Sequence, residues 1–244
     1  MPPPSSVLSA APRDAALDLI KWLALLSMLL DHLRYVWPQL YWLYVPGRLA
    51  FPLFCLAIAA NLRRQAPGRP LPLRYLGLLL GFALLSEGPY RLLVPAPQVL
   101  NILPTLALGL ILAHALEQPR GGARGLAAGA LLLAVLGHPW LMFGAAGALL
   151  PAAFVLALRE PRRAWPWPVA LCLLANYSQP LYGQALHGEA FALAVVFSCG
   201  LAPLVGIRLL RAPGRWSVAP VRRWAYGFYP AHFLILALLR EHLA

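Results

Sequence analysis

Apolar residues fall in long runs separated by short polar, proline-rich or glycine-rich joints, at about 16–37, 41–62, 73–93, 99–117, 123–137, 140–158, 166–182, 189–210 and 221–242. A straight bilayer crossing needs about 20 mostly apolar residues. The pattern therefore predicts an all-α, polytopic integral membrane helix bundle with about nine transmembrane helices. The fifth run is short and ends at Gly137-His138-Pro139; a short span, a re-entrant segment and an irregular hairpin fused with the sixth run all fit it. The seventh is short too, with a hard start at Pro166 and Pro168. Counts of eight and ten stay open.

The joints are about ten residues at most, which leaves no room for a soluble domain. Residues 14–244 read as a single transmembrane domain behind a Pro-, Ser- and Ala-rich segment, 1–13, expected to be disordered. No basic stretch leads into the first run, which carries Asp18 and Lys21, so it reads as a retained helix and not a cleaved signal.

Charge orients the bundle. Arg63, Arg64, Arg69 and Arg74 follow the second run, Arg120 and Arg124 the fourth, Arg159, Arg162 and Arg163 the sixth, and Arg208, Arg211, Arg215, Arg222 and Arg223 the eighth. The alternate joints hold almost no cations except Arg91. The positive-inside rule makes the four clusters cytoplasmic, with the N-terminus inside and, for nine spans, the C-terminus outside.

Composition agrees: 61% of residues are hydrophobic and only 11% charged, against about half and a quarter in soluble domains. The net charge of +12 resembles a nucleic-acid signal until its placement is considered. Clusters at span ends are topological, and no nucleic-acid partner is expected. Cys55, Cys172 and Cys199 lie inside apolar runs without metal-ligand spacing and read as small buried residues. Arg, Ala, Leu and Pro dominate beside a single Lys, which suggests a GC-rich bacterial genome and hence the cytoplasmic (inner) membrane.

Ionisable side chains within a membrane are costly, and each invites a functional reading. The first run holds Asp18, Lys21, Asp31, His32 and Arg34. Lys21 and His32, eleven residues apart, share one helix face roughly 16 Å apart. Lys21 either snorkels to the cytoplasmic headgroups beside Asp18 or meets an anionic ligand from that side. His32 is either a hydrogen-bonded interior histidine or a base near neutral pH. Arg48, Glu87 and Asn101 fall at matching height in the outer half, where lipid cannot satisfy them. Arg48 pairs with Glu87 or Asp31 in a structural network, or these groups form a polar pocket around His32.

Such a pocket suits acyl transfer from a thioester to an amine or hydroxyl. His32 would be the base, Asp31 or Glu87 its polarising carboxylate, and Arg48 or Asn101 would steady an oxyanion. Asp31, adjacent in sequence, points about 100° away from His32 and is also a partner for Arg48. His232, with Tyr229 one turn before it, is the rival base. No Gly-rich phosphate loop, nucleophile elbow or HExxH pattern occurs, which removes kinase, serine hydrolase and zinc protease chemistry.

Five stretches resemble the TraX family of membrane proteins, whose namesake is a conjugative-pilin N-acetylase. They are Leu17–Arg34 (LDLIKWLALLSMLLDHLR), Gly47–Ala57 (GRLAFPLFCLA), Arg74–Arg91 with its Ser86-Glu87-Gly88-Pro89-Tyr90 turn, Asn101–Leu108 (NILPTLAL) and Phe228–His232 (FYPAH). The Lys21-to-His32 spacing is also similar to the basic-x10-His pattern of membrane acyltransferases that O-acetylate bacterial polysaccharides. The resemblance implies acetyl-CoA as donor and His32 as the essential residue. Lys21, Arg63, Arg64, Tyr229 and His232 are then expected at the donor, and the acceptor is a pilin N-terminus, a sugar or another amine or hydroxyl. Lys21 and His32 are expected to line one cavity open to both aqueous phases. A small-solute transporter or channel using the same polar cluster is the rival reading, and a non-catalytic assembly factor a third.

Overall fold

The computed structural model describes residues 14–66, 68–118, 123–212 and 217–243, and among them it contains helices and turns but no strand. The segment expected to be disordered, 1–13, lies outside the described residues, as do Arg120 and Arg215. The elements are α1 (Ala15–Leu33), a 3-10 stretch at Pro38–Leu43, α2 (Tyr44–Gly47), α3 (Ala50–Arg63), α4 (Leu73–Leu93), α5 (Leu103–Glu117), α6 (Arg124–Leu136), α7 (Gly144–Arg159), α8 (Pro161–Ala164), α9 (Pro166–Ala175), α10 (Gln179–Leu186), α11 (Ala190–Arg211) and α12 (Trp224–Leu243).

Local chemistry sets the ends. The Asp14 carboxylate accepts the Leu17 N–H at 3.0 Å and caps α1. Proline opens α5, α8, α9 and α10, where its missing N–H costs nothing. Before α7 the chain takes a left-handed turn at Phe143 (φ 68°) and Gly144 (φ 57°), and the His138 ring accepts the Ala145 N–H at 3.1 Å. Within the single turn of α2 the carbonyls of Val45 and Pro46 accept the hydroxyls of Ser198 (2.8 Å) and Ser27 (2.5 Å). Irregular backbone inside an apolar bundle needs such partners.

Among the described residues three stretches are long and apolar enough to cross a bilayer, by length and composition: Pro38–Arg63, Leu73–Leu93 and Ala190–Arg211. Helices α5, α6 and α7 are apolar but shorter. The count of about nine crossings is not confirmed by these lengths, and the two runs read as short are short helices. The fifth is only 13 residues of α6, about 20 Å. The seventh breaks at Asn176, where α9 ends after 10 residues and α10 follows. Gly137 and the Asn176-Tyr177-Ser178 corner end these helices before about 30 Å of hydrocarbon is traversed.

Helix α3 occupies the middle and touches α1, α5, α7 and α11; α12 packs on α4, and α9 bridges α7 and α11. The interior mixes large fully buried groups, Leu53, Leu56, Leu110 and Phe154, with small ones such as Ala24, Ala59, Ala113 and Ala148 that let backbones approach. The exterior carries Leu84 and Leu85 on α4, Leu132 and Leu136 on α6, Phe197 on α11 and Ile235 on α12, all exposed. Apolar surface of this extent fits a bilayer and not water.

Close approach is tightest between α5 and α7. A Cβ added to Gly109 would stand 2.6 Å from the Pro151 ring, which has little room to move. Gly109→Ala is expected to lower stability by about 1–3 kcal/mol, seen as a lower thermal midpoint in detergent. Gly77→Ala, with nothing within 4 Å, leaves the midpoint unchanged or slightly higher.

Candidate functional site

Helices α1 and α12 bring two imidazoles together 200 residues apart in sequence: His32 Nδ1 lies 2.9 Å from His232 Nε2, with ring centroids 5.0 Å apart. His232 Nδ1 lies 3.2 Å from the Phe228 carbonyl. A carbonyl only accepts, so for neutral rings the His232 hydrogen is on Nδ1 and its Nε2 is an acceptor. His32 Nδ1 then carries the hydrogen donated to His232. The lone pair of His32 is left on Nε2, 3.9 Å from the Asp31 Oδ2 atom. Phe233 packs against both rings, at 4.9 Å from His32 and 4.2 Å from His232.

Asp31 resolves the choice left open for Arg48. The Arg48 Nη2 donates to Asp31 Oδ1 at 3.0 Å, and Nη1 donates to the Asn176 side-chain oxygen at 3.1 Å. Its Nε donates to the Tyr44 carbonyl at 3.4 Å, and its guanidinium lies over the Tyr44 ring at 3.9 Å. Arg34 adds a longer contact to Asp31 at 3.4 Å. Asn176 sits at the break between α9 and α10, so this interruption supplies an Arg48 partner. Gly47 faces Asp31 so closely that a Cβ there would lie 2.6 Å from the carboxylate.

Glu87 and Asn101 form a separate network. The Glu87 carboxylate accepts from Arg91 Nε at 2.8 Å, from the Asn101 backbone N–H at 3.0 Å and from Asn101 Nδ2 at 2.7 Å. Asn101 Nδ2 also donates to the Ala83 carbonyl at 2.7 Å, while its side-chain oxygen accepts the Leu103 N–H at 3.1 Å. Both amide hydrogens are engaged, and the pair clamps the start of α5 to α4. Tyr229 stands between the two networks: its hydroxyl accepts the Ile102 N–H at 3.4 Å, and its ring lies 5.6 Å from that of His232.

A cavity of about 490 Å³ runs alongside α1. Lys21, Asn61, Arg74, Arg222 and Arg223 line it together with an apolar stretch including Leu25, Met28, Phe54, Ile102 and Leu106, and with Tyr229. Lys21 also pairs with Asp18 at 3.6 Å. The expected open route from Lys21 to His32 is not continuous, because the α1 lining stops at Met28, one turn before His32. Arg63 and Arg64 do not line the cavity: Arg63 lies 3.7 Å from Glu117, and Arg64 pairs with Asp14. Arg74, Arg222, Arg223 and Asn61 line it beside Lys21. Among the described residues no cluster of three His, Cys, Asp or Glu could hold a metal.

The apolar exterior is that of a membrane protein, and the interior holds a buried ion pair, an imidazole pair and a cavity with basic residues on its wall. The family model described as TraX protein matches residues 16–240, and the chain belongs to that family. It is 31% identical to Protein TraX of Escherichia coli over 227 residues, covering 91% of this chain and 86% of the relative. It is also 31% identical, over 229 residues, to Protein TraX of Escherichia coli strain K12, covering 91% of this chain and 86% of the relative. No solved structure matches.

Removing one partner of a buried pair strands the other charge. Arg48→Met is expected to cost about 3 kcal/mol by thermal unfolding. The double variant Asp31→Leu/Arg48→Met recovers part of that loss, because neither charge is left behind.

Proposed function

We propose that the chain is a membrane-embedded acetyltransferase that moves an acetyl group from cytoplasmic acetyl-CoA to an amine or hydroxyl at the extracytoplasmic side. The observation that carries this reading is the one-way hydrogen bonding from His32 to His232 to the Phe228 carbonyl, which leaves the His32 Nε2 lone pair available as a base. Membership of the TraX family, with its pilin-acetylase namesake, supports the same chemistry.

Each group has a role in this reading. The acceptor nitrogen or oxygen adds to the thioester carbonyl carbon as His32 Nε2 takes its proton. The C–S bond breaks, and the CoA thiolate leaves with that proton. Asp31 Oδ2, 3.9 Å from Nε2, stabilises the imidazolium that exists between these steps. Arg48 and Arg34 hold Asp31 in place. His232 is a positioning residue that fixes the His32 tautomer. Glu87 and Asn101 act through the α4–α5 clamp.

On the donor side, Lys21, Arg74, Arg222 and Arg223 at the cavity mouth meet the CoA phosphates, and the apolar stretch beyond them receives the pantetheine arm. A shift of Met28 would open the last turn to His32. This direction of approach follows the positive-inside rule, with the N-terminus cytoplasmic and the chain in a bacterial inner membrane. Pilin, a sugar and a peptidoglycan amine are all chemically suitable acceptors.

The α9–α10 interruption beside Arg48 also favours a second reading, a small-solute carrier, since broken helices mark binding sites in transporters. Solute flux in proteoliposomes without thioester cleavage would establish it over acetyl transfer.

Purified protein is expected to release CoA from acetyl-CoA, and His32→Ala to lower that rate by about 10²-fold or more; equal turnover removes His32 from the chemistry. Arg74→Gln/Arg222→Gln/Arg223→Gln is expected to raise KM for acetyl-CoA at least ~10-fold, the equivalent of about 1.4 kcal/mol, with kcat largely kept. An unchanged KM places the donor elsewhere.

A further inference from the structure

Among the described residues three tyrosines, Tyr75, Tyr226 and Tyr229, line the cavity, and of these only Tyr229 packs its ring against His232. On α12 the lining passes from Ala225 and Tyr226 near the basic mouth to Tyr229 one turn further in. Tyr229 is buried at 7% exposure, and its oxygen accepts the Ile102 N–H. Among the described residues its own hydrogen is donated to no acceptor. A phenol that accepts a hydrogen bond is a stronger donor, because hydrogen bonds in a chain polarise one another.

The side chains that would otherwise serve as donors to a developing oxyanion are occupied. Asn101 directs both amide hydrogens to Ala83 and Glu87. Arg48 is held by Asp31, Asn176 and the Tyr44 carbonyl. Tyr229 alone combines a free hydroxyl hydrogen, a wall of the cavity and a ring against His232 at 5.6 Å.

We propose that the Tyr229 hydroxyl is the electrophilic donor that polarises the carbonyl of a short acyl thioester held at the inner end of the cavity, an inference that rests on the acetyl-transfer reading. As the acceptor nitrogen adds to the carbonyl carbon, the C=O electron pair moves onto oxygen, and the Tyr229 O–H strengthens its hydrogen bond to that oxygen without giving up its proton. The pair returns as the C–S bond breaks. The thiolate takes the proton that His32 removed from the amine, so thioester and amine become amide and thiol. In a site that excludes water, one such donor is typically worth 10²–10³ in kcat.

The test is CoA release by the full chain in nanodiscs, with acetyl-CoA as donor and an amine-terminated peptide or glucosamine as acceptor. Tyr229→Phe keeps the ring packing and is expected to lower kcat about 10²-fold with KM for acetyl-CoA within about twofold. A lowered thermal midpoint with kcat unchanged would mean that the hydroxyl serves only the Ile102 N–H, and overturns the proposal. If Tyr229→Phe does not fold, fluorotyrosine at 229 decides: it keeps the Ile102 contact with a more acidic hydroxyl, and is expected to raise kcat, whereas an unchanged kcat overturns the proposal. Wild-type turnover with an indifferent Tyr229→Phe sinks this inference alone; absence of wild-type turnover sinks the acetyl-transfer reading and this inference with it.

Discussion

A carboxylate and a guanidinium within a hydrocarbon slab have no water to fall back on. Asp31 and Arg48 meet at 3.0 Å, and much of the surrounding architecture serves that contact. Gly47 leaves the carboxylate room that any Cβ would fill. The end of α9 presents Asn176 to the second guanidinium nitrogen. The Tyr44 ring covers the cation's face at 3.9 Å. Helices α1, α2 and α9 are thereby tied at one point, and His32, next in sequence to Asp31, takes its orientation from the same anchor.

From that anchor polarity passes in two directions. Toward α12 it runs through the paired imidazoles to the Phe228 carbonyl, a chain whose hydrogens all point away from His32 Nε2. Toward α4 and α5 it is interrupted: Tyr229 separates the histidines from the Glu87–Asn101 clamp, which is complete in itself. In the proposed reaction this separation divides the work. One network holds a base with its lone pair exposed, and the other holds the helix that forms the cavity's far wall.

Much of this was readable along the chain. The helical bundle follows from run length and the scarcity of charge. Asp31 was legible as one of two candidate partners for Arg48, beside Glu87, because the 100° step turns it away from His32. Other features depend on where helices cross, which periodicity does not encode. Nothing local couples His32 to His232 across 200 residues, or brings Arg222 and Arg223 to the cavity of Lys21. Nor does the sequence show that Arg63 and Arg64 pair with Glu117 and Asp14. Asn176 could have been suspected: an amide that ends a short, proline-started helix inside an apolar run needs a partner. The fifth and seventh runs, short already in the sequence, form helices that end at Gly137 and at the Asn176 corner; the break at Asn176 was not readable, since average hydrophobicity is insensitive to where the backbone turns.

The short α6 has a consequence for the lipids around it. Thirteen residues reach about 20 Å, roughly 10 Å less than the hydrocarbon they face. Leu132 and Leu136 are exposed along it, and acyl chains there must compress or splay to keep polar loops wet. Beside α4 and α11, which are long enough to cross, no such thinning is called for, so the demand on the lipid is uneven around the bundle.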